Sequence, residues 1–295
     1  MSLLLILKTI YRPAFADELG RAASLCTVSA ARSGEGPTQC FVAVRERPVE
    51  RLVGAAFWRL LTSAVGQVEA EFEWAAAAAQ SEAVEFLQAL VAEVKKQCPA
   101  CERIAASAWL PEGHPLAATL EAAGFAAAVK RHVYGAEAKV WREALATAAI
   151  AEGEVLTAPT GGHFDELRAL LCGPALRPAE LAHGFQTAGG ESPSLFDARC
   201  SALMTEGGKV TAVCLANFSR GHLTVAALHG TPAQSDHLLH HCLQARDHLA
   251  EPVSLSFYLD DRDPSLALSA LTERLPVENG GSSLRYEAEL TPHLA

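Results

Sequence analysis

Two periodicities take turns along the chain. From Val68 to Trp74 apolar and charged residues alternate strictly, Val-Glu-Ala-Glu-Phe-Glu-Trp, the period-two pattern of a strand with one apolar and one polar face. Further on, Val84, Leu87, Leu90, Val91 and Val94 recur at helical spacing, and Ser81 stands ahead of them as a cap. A helix is therefore expected from Ser81 to about Gln97. The same reading predicts strands at 1–7, 40–44, 52–61, 103–110 and 125–134, helices at 14–26 and 114–123, and a break at Gly34-Glu-Gly-Pro37. Gly124 is placed to stop the helix at 114–123, because a residue without Cβ enters the left-handed region without strain.

The second half repeats this order. Phe164-Asp-Glu-Leu-Arg-Ala-Leu-Leu171 echoes Phe15-Ala-Asp-Glu-Leu-Gly-Arg-Ala22, and Ala233-Gln-Ser-Asp236 echoes Ala79-Gln-Ser-Glu82. Strands at 209–218 and 222–228, a helix from about 233, a strand at 252–259 and a helix at 264–275 follow in the expected places. Self-similarity at a steady offset is the mark of a duplicated unit. With a small-residue stretch at Ala146–Gly153 as the join, the expected domains are 1–148 and 149–295, each a mixed α/β (α+β) unit.

Composition narrows the class. Of 295 residues half are hydrophobic and 20% charged, enough for two real cores, which excludes a disordered chain and a disulfide-stapled miniprotein. With 24 basic and 34 acidic residues the formal charge is −10, so phosphate backbones repel the chain and nucleic acid is not an expected partner. No run of about 20 apolar residues would span a membrane. The opening Met1–Lys8 lacks the leader, apolar core and cleavage site of a secretory signal. The eight cysteines are scattered, several in apolar runs, which fits a reduced cytoplasmic protein. Cys98-Pro-Ala-Cys101 and the helical set His237, His240, His241 and His248 could each contribute to a metal site, but neither has a complete ligand set, and structural thiols and a surface helix face account for them. No metal is expected. The chain has no Gly-x-Ser-x-Gly elbow, Walker loop or Rossmann fingerprint.

The order strand, helix, three strands, long helix, strand, helix, strand, with Leu120-Glu-Ala-Ala-Gly-Phe125 ending the second-last helix, resembles the GNAT acyltransferase superfamily. The resemblance implies two tandem GNAT-like acyl-CoA N-acyltransferase domains, with acetyl-CoA as co-substrate and an amine of a small molecule or peptide as acceptor. A homodimer is among the assemblies it allows. It also implies a fourth strand splayed from the fifth, a helix tip facing the pyrophosphate, and a bulged amide on the fourth strand stabilising the tetrahedral oxyanion. On this chain Trp74 and Ala75 would lend backbone to the pantetheine arm, and Gln80, Ser81, Glu82 and Ala83 would face the pyrophosphate. The family pattern Gln/Arg-x-x-Gly-x-Gly/Ala is met by Gln80 and loosely by Ala83, while Glu82 and Glu85 add negative charge beside an anion site. In the second half, Gln234–Leu239 is bulky where small residues are wanted, and the shifted stretch Gly230–Ser235 carries Pro232. The first half is therefore the expected site.

Glu69, Glu71 and Glu73 share one strand face, and the resemblance makes Glu73 and Glu71 the general-base candidates for drawing a proton from the acceptor ammonium. The same residues also fit a solvated face paired with Arg51 or Arg59 across the hairpin. The tyrosine that usually protonates the thiolate is replaced by Leu120 and Thr272, with Tyr134 and Tyr258 as possible stand-ins. These departures also fit a second function: a catalytically degenerate tandem module used for binding or dimerisation.

Overall fold

The computed structural model of the chain describes residues 9–26, 39–45, 51–62, 68–76, 80–147, 153–171, 181, 196–244, 250–261 and 266–290. In chain order the elements are β1 (Thr9–Pro13), α1 (Leu19–Cys26), β2 (Gln39–Arg45), β3 (Arg51–Thr62), β4 (Val68–Ala76), α2 (Gln80–Gln97), β5 (Arg103–Ala106), β6 (Leu110–Pro111), α3 (Pro115–Ala122) and β7 (Ala126–Glu137). They continue with α4 (Ala138–Ala144), β8 (Glu154–Thr157), α5 (Phe164–Leu171), β9 (Ala202–Glu206), β10 (Lys209–Ser219), β11 (His222–His229), α6 (Pro232–Cys242), β12 (Ser254–Asp260), α7 (Leu266–Arg274) and β13 (Glu278–Glu289). The expected opening strand at 1–7 and the break at 34–37 lie outside the described residues.

The chain divides into two compact units, Met1–Val129 with Ser283–Ala295, and Lys130–Ser282. In the first, β1, β2, β3 and β4 form an antiparallel meander. β5 then lies parallel to β4, a pairing that needs a crossover, which α2 supplies. Leu87, Leu90 and Val94 of α2 and Leu120 of α3 are fully or almost fully buried against Phe72, Trp58 and Ile104 on one sheet face. The helical spacing read in α2 is the stripe that makes this contact. Gly124 closes α3 at φ +96°, and the Phe125 amide donates back to the Leu120 carbonyl at 3.0 Å. That turn delivers Phe125 onto Phe72, with ring centroids 5.4 Å apart. The other face carries α1, with Ala22 fully buried against Val42, Val44 and Ala55.

The second unit has the same order of elements. β8, β9, β10 and β11 are antiparallel neighbours and β12 is parallel to β11. α6 and α7 cover one face through Leu238, Leu239, Leu268 and Leu271, and α5 covers the other through Leu167.

The division by contact differs from the expected boundary at 148. The strand after α3 was expected to close the first sheet. Instead β7 pairs antiparallel with β12 from Arg131↔Asp260 to Glu137↔Ser254. The place beside β5 is taken by the end of the chain, with Glu287↔Ala105 and Glu289↔Arg103. Each closing strand brings apolar residues to the core it joins: Tyr286 and Ala288 to the first, Tyr134 and Ala136 to the second. Alternation identifies a strand but is silent about its partner, so the exchange has no local signature.

This composition is testable with fragments. Residues 1–148 expressed alone lack β13, and should show no cooperative urea transition by near-UV circular dichroism. Appending 283–295 through a flexible linker should restore one. A cooperative transition of the bare fragment would contradict the strand assignment.

Candidate active site

β4 is flanked on both sides for only part of its length. Toward β3 its register runs unbroken from Thr62↔Val68 to Gly54↔Ala76. Toward β5 pairing runs from Glu69↔Arg103 to Phe72↔Ala106, and the Ser107 amide makes one more bond to the Phe72 carbonyl at 2.9 Å. β5 then ends, and β6 pairs with β13. Trp74, Ala75 and Ala76 run on beside β3 with no strand among the described residues along their other edge, and α2 starts four residues later at Gln80. A sheet that opens partway along two parallel strands exposes main-chain donors and acceptors inside the fold rather than at its rim. This is the expected splay, and it brings Trp74 and Ala75 to its edge.

The bulge expected on β4 is absent: its register with β3 contains no shift. A bulge occurs instead in the second unit, where Leu215↔Ala227 is followed by Ala216↔Val225 and Ala226 is the extra residue of β11.

The first turn of α2 holds the four predicted phosphate-side residues. Gln80 and Ser81 are exposed, Glu82 half-buried and Ala83 buried. The charge noted in the sequence is matched from neighbouring strands. Arg45 of β2 contacts Glu82 at 2.5 Å, and the Tyr11 hydroxyl of β1 donates to Glu85 at 3.0 Å. Burial, with Glu85 and Glu82 adding to it, pushes the Tyr11 phenol up to about 12, so it stays a donor. Arg45 keeps its Nε buried and without a hydrogen-bond partner. Thus the helix tip that would favour an anion is already faced by a carboxylate and a guanidinium.

The two candidate bases separate in their surroundings. Both lie on the sheet face away from α2. Glu71 is 6% exposed, and Arg59, directly opposite it on β3, donates to its Oε2 at 2.9 Å. The predicted partner Arg59 is therefore present, but the face is not simply wet. Protonating Glu71 would break a buried pair, which disfavours a base role. Glu73, one step nearer the opening, is half-buried. Glu69 contacts Arg103 at 3.0 Å, and Arg103 also approaches Glu287 of β13 at 3.6 Å. Glu287 and Arg285 were not expected here, because nothing in the sequence joins the chain's end to β5.

For the proton donor, Leu120 is core and the Thr272 hydroxyl donates to the Ser269 carbonyl at 2.7 Å. Tyr134 stacks on Phe257 in the second unit, and Tyr258 is exposed. A phenol that the sequence reading missed, Tyr286, reaches from β13 to Glu121 of α3 at 3.3 Å, and burial raises its pKa.

The second unit opens similarly: β11 and β12 pair from His222↔Ser254 to Val225↔Phe257, and β11 continues to His229. By this register His222 and Thr224 stand where the first unit has Glu69 and Glu71, so that face lacks their carboxylates. His222 is held between the Ser254 and Ser256 hydroxyls, 2.8 Å each. Thr231 caps α6, and Gly230 before it has φ +146°, with a Cβ there falling 2.7 Å from that of Ala212. Cys101 is buried with its thiol on the Arg103 carbonyl, pushed up to about 11 by burial. Among the described residues no three metal-binding side chains converge, and no helix is long and apolar enough to cross a membrane.

Neither a family model nor a curated protein sequence matches the chain. Solved structures do. A conserved protein of unknown function from Enterococcus faecalis V583, described as a probable N-acyltransferase, superposes with a TM-score of 0.65 at 10% identity over 97% of this chain and 73% of its own. A GCN5-related N-acetyltransferase from Kribbella flavida gives 0.62 at 10% identity over 97% and 72%. A tandem GNAT protein from the clavulanic acid biosynthesis pathway gives 0.53 at 12% identity over 97% and 99%. The fold is that of tandem GCN5-related N-acetyltransferases, a mixed α/β architecture.

The buried pair yields a stability test. Arg59→Leu removes the guanidinium that faces buried Glu71 and should destabilise the first unit by about 3 kcal/mol, whereas adding Glu71→Gln should recover much of the loss. A single variant unfolding at the wild-type urea midpoint would contradict the pairing.

Proposed function

We propose that the first unit is a cytoplasmic N-acyltransferase that moves an acetyl group from acetyl-CoA to an amine of a small molecule or peptide. The observation that carries this reading is the divergence of β4 from β5 after Phe72 and Ala106, directly ahead of the α2 tip. The main chain of Trp74 and Ala75 would pair with the pantetheine amides. The amides of Gln80 to Ala83 would meet the pyrophosphate, with Arg45 turning from Glu82 to the incoming anion. Glu73, nearer the opening than the buried Glu71, would take the proton from the acceptor ammonium. The freed amine then attacks the thioester carbonyl carbon, the carbon–sulfur bond breaks, and the thiolate takes a proton. Tyr286, kept protonated by burial one strand beyond β5, is the nearest phenol by register to supply it.

The competing reading, a degenerate binding module, draws on the acidic helix tip and the unbulged β4. Acetyl-CoA separates the two. At 100 times its Kd a ligand stabilises by about 2.7 kcal/mol, so micromolar acetyl-CoA should raise the melting temperature by several degrees. No shift at millimolar ligand would remove the transferase reading.

Two substitutions refine the roles. Glu82→Gln removes a negative charge from the helix tip and should tighten acetyl-CoA binding, while Arg45→Ala should weaken it; the reverse order would contradict the assigned pyrophosphate site. Glu73→Gln should lower kcat by about a hundredfold or more with little change in acetyl-CoA affinity. An unaltered pH–rate profile would exclude Glu73 as the base.

A further inference from the structure

Among the described arginines on the sheet face that bears Glu71 and Glu73, three have a carboxylate at close range, and Arg12 of β1 meets Glu18 at 2.7 Å. Arg59 has Glu71 at 2.9 Å and Arg103 has Glu69 at 3.0 Å. Arg285 of β13, on the same face, differs from these and is 8% exposed. Its one ion-pair contact is to Glu287 Oε1 at 3.6 Å, beyond hydrogen-bond distance, and Glu287 is shared with Arg103. The Arg285 Nε is buried and has no hydrogen-bond partner. A buried guanidinium is costly unless its fork of donors is matched, and a carboxylate matches it with two parallel bonds.

Its position gives the unpartnered Nε a direction. Glu287 pairs with Ala105, which pairs with Glu71, so the three share a face. Arg285 lies two residues on and therefore keeps that face. β13 pairs with Ala105 at Glu287 and with Leu110 at Leu284, so Arg285 sits where β5 gives way to β6, and Glu73 follows Phe72, the last residue of β4 paired with β5. Tyr286 and Phe72 point the opposite way, into the core against α2. With β5 between them, β4 and β13 are about 10 Å apart at the main chain, which two long side chains narrow to the width of a small molecule. The α2 tip belongs to the other face, so a pyrophosphate there does not account for Arg285.

We infer that Arg285 binds a carboxylate on the acceptor, and that the acceptor is a free amino acid whose amine is presented to Glu73. This rests on the acyltransferase reading and adds the substrate class. A small zwitterion satisfies both ends of the row at once, its ammonium toward the carboxylates of β4 and its carboxylate at the unmatched guanidinium. Arg285 is then a specificity residue that touches substrate at a distance from the reacting nitrogen.

The test compares the standard amino acids and β-alanine with their carboxamides, using the full chain with acetyl-CoA or coenzyme A. Thiol release and melting temperature are read in parallel, for the wild type and for Arg285→Gln and Arg285→Lys. The expected result is one or a few acids preferred over their amides by at least about tenfold, since the amide leaves the guanidinium unmatched. Arg285→Gln should bring the pair within about twofold, and Arg285→Lys should keep part of the preference. Should Arg285→Gln not fold, the wild-type ratio and Arg285→Lys decide. A coenzyme-dependent shift with acids and amides treated alike overturns this inference and leaves the transferase reading standing. Acid-selective stabilisation without any response to acetyl-CoA does the opposite. No response to either ligand overturns both.

Discussion

Main-chain hydrogen bonding along β4 governs the rest of the first unit. A strand inside a sheet must satisfy donors and acceptors on both edges, and here one edge loses its neighbour after Phe72. β5 could have continued and closed the gap, but its four residues end at Ala106 and the chain turns to pair with β13 instead. The opening is held by what surrounds it. β3 fixes β4 with an unbroken register, α2 packs Phe86 and Leu87 beneath it, and Phe125 holds Phe72 at the apex. The space is therefore a product of rigid neighbours, which is what a preformed ligand site requires.

The two faces of that opening carry different chemistry. On the helix face Arg45 meets Glu82 at the first turn of α2, so under the proposed function a pyrophosphate would take the place of that carboxylate. On the other face, charge is buried in pairs across strands: Arg59 with Glu71, Arg103 with Glu69. Such pairs are expensive to desolvate and give little net stability. Their effect is to fix the orientation of a polar floor beside the opening, with Glu73 and Arg285 at its end. The second unit keeps the opening and adds a bulge at Ala226, but His222 and Thr224 replace the carboxylates, so the two copies have kept different parts of one layout.

Local pattern carried much of this in advance. The alternation of 68–74 gave β4 and the facing of its glutamates, the stripe from Val84 to Val94 gave α2, and Gly124-Phe125 gave the turn after α3. Each depends on neighbours in the chain. The strand exchange, the Arg45–Glu82 contact and the place of Arg285 depend on residues 37 to nearly 200 positions apart coming together, and no periodicity reports that. The bulge in β11 is likewise defined by its register against β10, which β11's own sequence does not report. Tyr286 has no local signature either, because its hydroxyl reaches α3 from β13, 165 positions along the chain from Glu121.

The central claim, that the open edge of β4 and the tip of α2 together seat an acyl-coenzyme A, is most directly tested by amide hydrogen exchange with and without coenzyme A. The account predicts slowed exchange at Trp74–Ala76 and at Gln80–Ala83, with the amides of Glu69–Phe72, already paired on both sides, unchanged. Unaltered exchange at both segments under saturating ligand, or protection confined to the second unit, would contradict it.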